Sequence, residues 1–86
     1  RLIDQIKASG MQEFSLLDVG TGSGCIALLI AHHFPHARIY AVDRAPEALA
    51  LARLNQQQLG IKNVHILESD LFAAIADQRF DIIVSN

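Results

Sequence analysis

Apolar positions fall into short blocks that switch between two patterns along the chain. "FSLLDV" (14–19) is a short apolar run of strand length, and "ARIYAVD" (37–43), "NVHILESD" (63–70) and "FDIIVSN" (80–86) read as further strands. Between them lie stretches of helical character. "CIALLIAHHF" (25–34) is apolar nearly all round, as expected of a helix packed deeply against a sheet. Pro35 ends it, because the residue before a proline avoids the helical region. In "RAPEALALARLNQQQLG" (44–60) Pro46 suits a first turn and Glu47 favours its positive end. Ala48, Leu51, Ala52 and Leu59 then follow helical spacing as far as Gly60, a C-terminal stop. Residues 2–9 predict a shorter helix with Leu2, Ile3 and Ile6 on one side and Gly10 as its stop, and "LFAAIA" (71–76) a further helical turn. Alternating strands and helices of these lengths predict an α/β fold: a Rossmann-like, doubly wound parallel sheet of about four strands. Right-handed crossovers lay the helices on its faces.

Where the first strand gives way to the second helix, the chain reads Gly20-Thr21-Gly22-Ser23-Gly24. Backbone without side chains turns tightly and lets a ligand approach, and the amides opening the next helix favour a negatively charged group. In open parallel sheets ligands sit beyond the carboxyl ends of the strands, where strand order reverses. The spacing is not the dinucleotide fingerprint G-x-G-x-x-G, because the third glycine arrives one residue early, and the missing G-K-[ST] excludes a P-loop.

Charge narrows the ligand further. Asp18, Asp43 and Asp70 close the first three strands and are expected to point, in register, toward one crevice. A pyrophosphate would meet three negative groups there. S-adenosylmethionine carries a sulfonium, an ammonium, one carboxylate and a ribose diol, with no phosphate, and suits such walls better. In this reading Asp43 accepts the ribose hydroxyls, Asp70 accepts from the adenine amino group, and Asp18 orients the loop and the methionine end.

Composition changes little of this. With 86 residues, 51% hydrophobic and 19% charged, the chain is globular and not a disordered tail. A formal net charge of -2 predicts no strong attraction to nucleic acid or membrane, and Arg44, Arg53 and Lys62 form no basic stripe. The single cysteine, Cys25, rules out an internal disulfide and fits a reducing compartment, so a cytoplasmic location is expected. Cys25 itself is expected as a small residue starting a helix against the sheet. No apolar run reaches the ~18 residues of a membrane span, and "RLIDQIKASG" is not a signal peptide. The chain starts without Met and stops just after a strand, so a piece of a longer protein is expected. No metal site is expected: His32 and His33 diverge by about 100° on a helix, and Pro35 disrupts the spacing from His32 to His36. His65 alternates with its strand neighbours.

"LLDVGTGSG" resembles the first motif of class I S-adenosylmethionine-dependent methyltransferases, and "AVDRAPEALALARLN" their second. With "NVHILESDLF" and "FDIIVSN", residues 14–86 resemble the HemK/PrmC family, glutamine methyltransferases that modify peptide-chain release factors. The resemblance implies a seven-stranded sheet of which this chain holds about four strands. Residues 1–13 are then a helix and linker entering the domain, and 14–86 the N-terminal part of its S-adenosylmethionine-binding region. It implies cofactor contacts from Asp18, Gly20, Thr21, Gly22, Gly24, Asp43, Arg44, Asp70 and Leu71. In the family the fourth strand ends in Asn-Pro-Pro-Tyr. Asn86 matches the asparagine and is implied as the catalytic, substrate-binding residue that accepts from the target NH2. The implied partner is a release factor.

Two other readings stay open: an N-methyltransferase acting on a nucleic-acid base or a ribosomal-protein glutamine, and an inactive cofactor-binding fragment. A flipped base needs a basic, aromatic surface. Four strands leave a sheet edge uncovered, and the 86 residues alone are expected to lack activity.

Overall fold

The computed structural model describes residues 1–69 and 79–85. Its elements are α1 (Leu2–Ser9), β1 (Ser15–Val19), α2 (Cys25–His33), β2 (Arg38–Asp43), α3 (Pro46–Leu59), β3 (Val64–Glu68) and β4 (Ile82–Ser85). The four strands form one sheet in the order β3-β2-β1-β4, and every pairing is parallel. From β1 the chain steps through α2 to β2 and through α3 to β3, then returns to β4 on the far side of β1. That reversal opens a crevice beyond the carboxyl ends of β1 and β4, the usual ligand position in such sheets.

One face of the sheet carries the main core. Leu16 and Ile39 are adjacent in register and inaccessible to solvent, and Phe14, Ala27, Leu28, Ile30, Ala31 and Phe34 close over them. Each such aliphatic side chain contributes about 1.5–3 kcal/mol by burial. Phe14 and Phe34 meet edge to face at 5.3 Å. Ile6 of α1 joins the same cluster, so the predicted first helix is built into the domain.

Two predicted helical faces differ from those observed. Helix α2 buries Ala27, Leu28, Ile30 and Ala31 but leaves Leu29 50% exposed, so its all-round apolar character is only half used. In α3 the buried residues are Leu49 and Ala52, while Leu51 and Leu59 are 47% and 65% exposed. In this phase Ala52 lies against Gly24 of the loop. Gln56, one turn beyond Ala52, ties down the connection from α3 into β3, donating through its amide to the carbonyls of Ile61 (3.0 Å) and Val64 (2.8 Å).

The connections are held by devices of the expected kind and by one that is new. Gly10 and Gly60 end α1 and α3 in the left-handed conformation (φ 80 and 67). Past Phe34 and Pro35 the turn is gathered by Asn63, whose Nδ2 donates to the carbonyls of Phe34 and Ala37, each at 3.0 Å. On the opposite sheet face a smaller cluster of Leu17, Val42, Val19, Tyr40, Leu67 and Phe80 draws, among the described residues, on strands and one loop residue. There Tyr40 stacks on His65 at 4.8 Å. The segment "LFAAIA" lies outside the described residues. Among the described residues no helix is long and apolar enough to cross a membrane.

Candidate functional site

The glycine loop is sewn onto the end of β2. The amides of Gly20 and Thr21 both donate to the Val42 carbonyl (2.9 and 3.0 Å), and that of Gly24 donates back to Thr21 (3.0 Å). The three loop glycines have φ of 71, 59 and 79, a region other residues avoid. Two of them have distinct uses. A Cβ on Gly24 would stand 3.1 Å from the Cβ of Ala52, so glycine there lets α3 lie against the loop. A Cβ on Gly22 would meet nothing within 4 Å, so this backbone faces open space that a ligand can occupy.

Asp43, the last residue of β2, reaches across to this loop. Its Oδ2 accepts from the Gly22 amide at 2.8 Å and its Oδ1 from the Ala45 amide at 3.0 Å. Those bonds, Ala45's first and Gly22's next, hold its carboxyl below the ordinary carboxylate range, outweighing partial burial. The exposed Arg44 adds its backbone N–H to the same carboxylate. Asp43 is therefore an ionised acceptor, fixed in place, and each oxygen keeps lone-pair capacity for another donor.

Asp18 is a different kind of group. It is wholly inaccessible to solvent, and its Oδ2 accepts from the Thr21 hydroxyl at 2.8 Å. Its Oδ1 is buried and, among the described residues, has no hydrogen-bond partner. Burial pushes the carboxyl up; the Thr21 bond opposes this and the Asp43 charge adds to it.

The expectation that the strand-end aspartates stand in register along one crevice is corrected here. Asp18 pairs with Ala41, and Asp43 pairs with Glu68. Asp18 shares the face of Leu16 by strand alternation and lies beneath the loop, while Asp43 is one residue past Val42, the partner of Val19. One aspartate supports the loop from below and the other grips it from the side. Asp70, Leu71 and Asn86 lie outside the described residues.

Cys25 is corrected as well. It is exposed at the first turn of α2, with Sγ 2.9 Å from Ser23 Oγ, because the helix turns Ala27 and Leu28 to the sheet instead. His32 and His33 are both exposed in the last turn of α2. One loop-holding residue escaped the sequence reading. Asn55 of α3 donates through Nδ2 to the Ser23 carbonyl at 3.0 Å. Its signal was present: an asparagine inside a helix, one turn after the Ala52 that touches Gly24, is a poor helix former placed where a donor is needed.

The sequence pattern of the methyltransferase domain family matches residues 11–86. The chain belongs to that family. This methyltransferase domain is 55% identical over 75 residues to the release factor glutamine methyltransferase of Escherichia coli, covering 87% of the chain and 27% of that protein. It is 44% identical over 77 residues to the ribosomal protein uL3 glutamine methyltransferase of Xanthomonas campestris, covering 90% of the chain and 25% of that protein. The chain thus spans about a quarter of the length of the curated relatives it matches. Among solved structures, PKMT2 from Rickettsia typhi in complex with AdoHcy superposes with a TM-score of 0.77 at 25% identity, over 84% of the chain and 14% of that structure. The sheet order and the helices of this domain are those of a Rossmann-like methyltransferase fold.

Proposed function

We propose that this domain binds S-adenosylmethionine over the glycine loop and serves an N-methyltransferase whose substrate is a glutamine side-chain amide of a peptide-chain release factor. The observation that carries the cofactor reading is the Asp43–Gly22 contact. An ionised acceptor is fixed beside Gly22, a loop position whose surroundings are open. A ribose diol needs acceptors, which Asp43 supplies, and a pyrophosphate would be repelled by it. The orphaned Oδ1 of Asp18 adds a second negative or neutral acceptor beneath the loop, in keeping with a ligand that bears positive charge.

S-adenosylmethionine supplies, when bound, a methyl group on a sulfonium. The roles of this chain's residues are to bind and orient. Asp43 takes the ribose hydroxyls, Arg44 follows it at the rim, and Gly20, Thr21, Gly22 and Gly24 form the floor under the methionine end, oriented by Asp18. The N-terminus of α2 faces the carboxylate end with its free amide dipoles. In this reading Asp70 and Leu71 contact the adenine, and Asn86 accepts from the target NH2. Such acceptance holds a nitrogen whose lone pair is delocalised, and favours the positive charge that develops on it, by positioning and electrostatics. Residues 1–13 lead into the domain, and 14–86 form the first part of its cofactor-binding region, in a cytoplasmic protein.

The release-factor substrate is supported by the 55% identity to the Escherichia coli relative. The uL3 relative, at 44%, makes a ribosomal-protein glutamine the second reading. The test is methyl transfer by the intact protein from labelled S-adenosylmethionine to purified release factor. Label on one glutamine, lost when that glutamine is replaced, is expected. Label on uL3 alone would favour the second reading, and label on neither would overturn the glutamine assignment.

A further inference from the structure

The carboxyl of Asp18 is completely buried and only half satisfied. Thr21 bonds one oxygen, and among the described residues the other has no partner. An ionised carboxylate in that position would leave a charged oxygen without a donor, whereas the neutral acid is far less costly to bury. The residue is also tied to the ligand loop itself, since its one donor is a loop side chain.

We propose that Asp18 is a proton-linked positioning residue: neutral beneath the glycine loop in the free protein, it ionises and gives its proton to solvent when a cationic ligand occupies that loop. The inference rests on the cofactor reading above. Among the described residues the groups around Asp18 are few. From β2 the charge acting on it is that of Asp43, which opposes a second negative charge. From the loop comes the neutral Thr21 hydroxyl, and β4 places Val84 beside it in register. The first turn of α2 carries the exposed Cys25 thiol, and the entry to α3 carries the exposed Arg44 and Glu47. Among these described residues no buried cation balances an Asp18 carboxylate. A ligand bearing an ammonium and a sulfonium brings the missing positive charge, so its binding and the loss of the proton are linked. S-adenosylhomocysteine has no sulfonium and draws the proton off less completely.

The experiment is calorimetric titration of the intact protein with each ligand, in buffers of different ionisation enthalpy, from acid to neutral pH. Proton release on binding is expected, larger for S-adenosylmethionine than for S-adenosylhomocysteine, and absent in Asp18→Asn. Thr21→Val keeps the carboxyl but removes its donor, so the pH of maximal release should move upward. Binding of both ligands without proton release would overturn the proposal, and so would equal release by wild type and Asp18→Asn. If Asp18→Asn does not fold, an unshifted profile in Thr21→Val has the same force. No binding of either ligand would overturn the cofactor reading and the linkage together.

Discussion

Replacing Gly24 with alanine tests how the loop and α3 fit together. Gly24 caps α2 at φ 79, and an added Cβ would stand 3.1 Å from the Cβ of Ala52 and 3.5 Å from Leu28 Cδ1. Left-handed backbone costs a non-glycine residue roughly 1–2 kcal/mol. Carbon atoms prefer a separation of about 3.5–4.0 Å, so α3 must retreat by several tenths of an ångström, and overpacking of this kind costs about 1–3 kcal/mol. Alanine also restricts the unfolded chain, which returns about 0.4–1 kcal/mol. The net expectation for Gly24→Ala is a loss of roughly 2–4 kcal/mol. Gly22→Ala is the matched control. Its φ of 59 brings the same backbone strain, but its Cβ meets nothing within 4 Å, so only the strain remains. Urea unfolding of the intact protein, followed by circular dichroism, reads both as a shift in midpoint at constant m-value. Adding Ala52→Gly to Gly24→Ala should recover part of the difference, a coupling visible in a double-mutant cycle. If Gly24→Ala costs no more than Gly22→Ala, the close packing of loop on α3 is wrong.

Three further outcomes are expected. Asn55→Ala removes the side-chain bond to Ser23, so S-adenosylhomocysteine affinity should fall several-fold, with a stability loss of about 0.5–1.5 kcal/mol; unchanged affinity would deny it a loop-holding role. Asn63→Ala strips the donors from the Phe34 and Ala37 carbonyls and should cost about 1–3 kcal/mol in urea unfolding. The two aspartates should tilt the pH dependence of stability in opposite senses. With its depressed folded-state pKa, Asp43 stabilises fully above the ordinary carboxylate range and loses this as pH falls through that lowered value, so Asp43→Asn should flatten the acid side of the curve. With its raised pKa, Asp18 favours folding below its unfolded value and loses that contribution as pH rises through the folded one, so Asp18→Asn should gain on wild type as pH rises. Unfolding midpoints measured against pH check both signs.

What the sequence made legible was whatever local chemistry decides. Pro35, Gly10 and Gly60 stop helices by rules of backbone geometry, and the observed ends agree with them. The strand positions followed from apolar runs, and the parallel sheet from their alternation with helices. What escaped depended on tertiary placement. The phase of α3 is not readable from the sequence because Leu49 and Leu51 are equally apolar, whereas the structure buries Leu49 with Ala52, which lies against Gly24. The side on which Cys25 lies is not readable from the sequence, because one residue, about 100° of helix, separates the sheet face from solvent. The three aspartates could be listed but not ranked: whether a strand-end carboxylate lies under a loop or beside it depends on register. That distinction gives Asp18 and Asp43 opposite electrostatic characters. The partners of Asn55 and Asn63 could not be read from the sequence, because Ser23 and Phe34 are about thirty residues distant.

The most direct test of the central claim is calorimetric binding of S-adenosylhomocysteine to the intact protein and to Asp43→Ala. The predicted result is saturable binding at one site, weakened about ten- to a hundredfold by the substitution, since hydrogen bonds to a charged acceptor contribute about 1.5–3 kcal/mol. Tight NADH binding with no response to S-adenosylhomocysteine, or S-adenosylhomocysteine affinity indifferent to Asp43→Ala, would contradict the account.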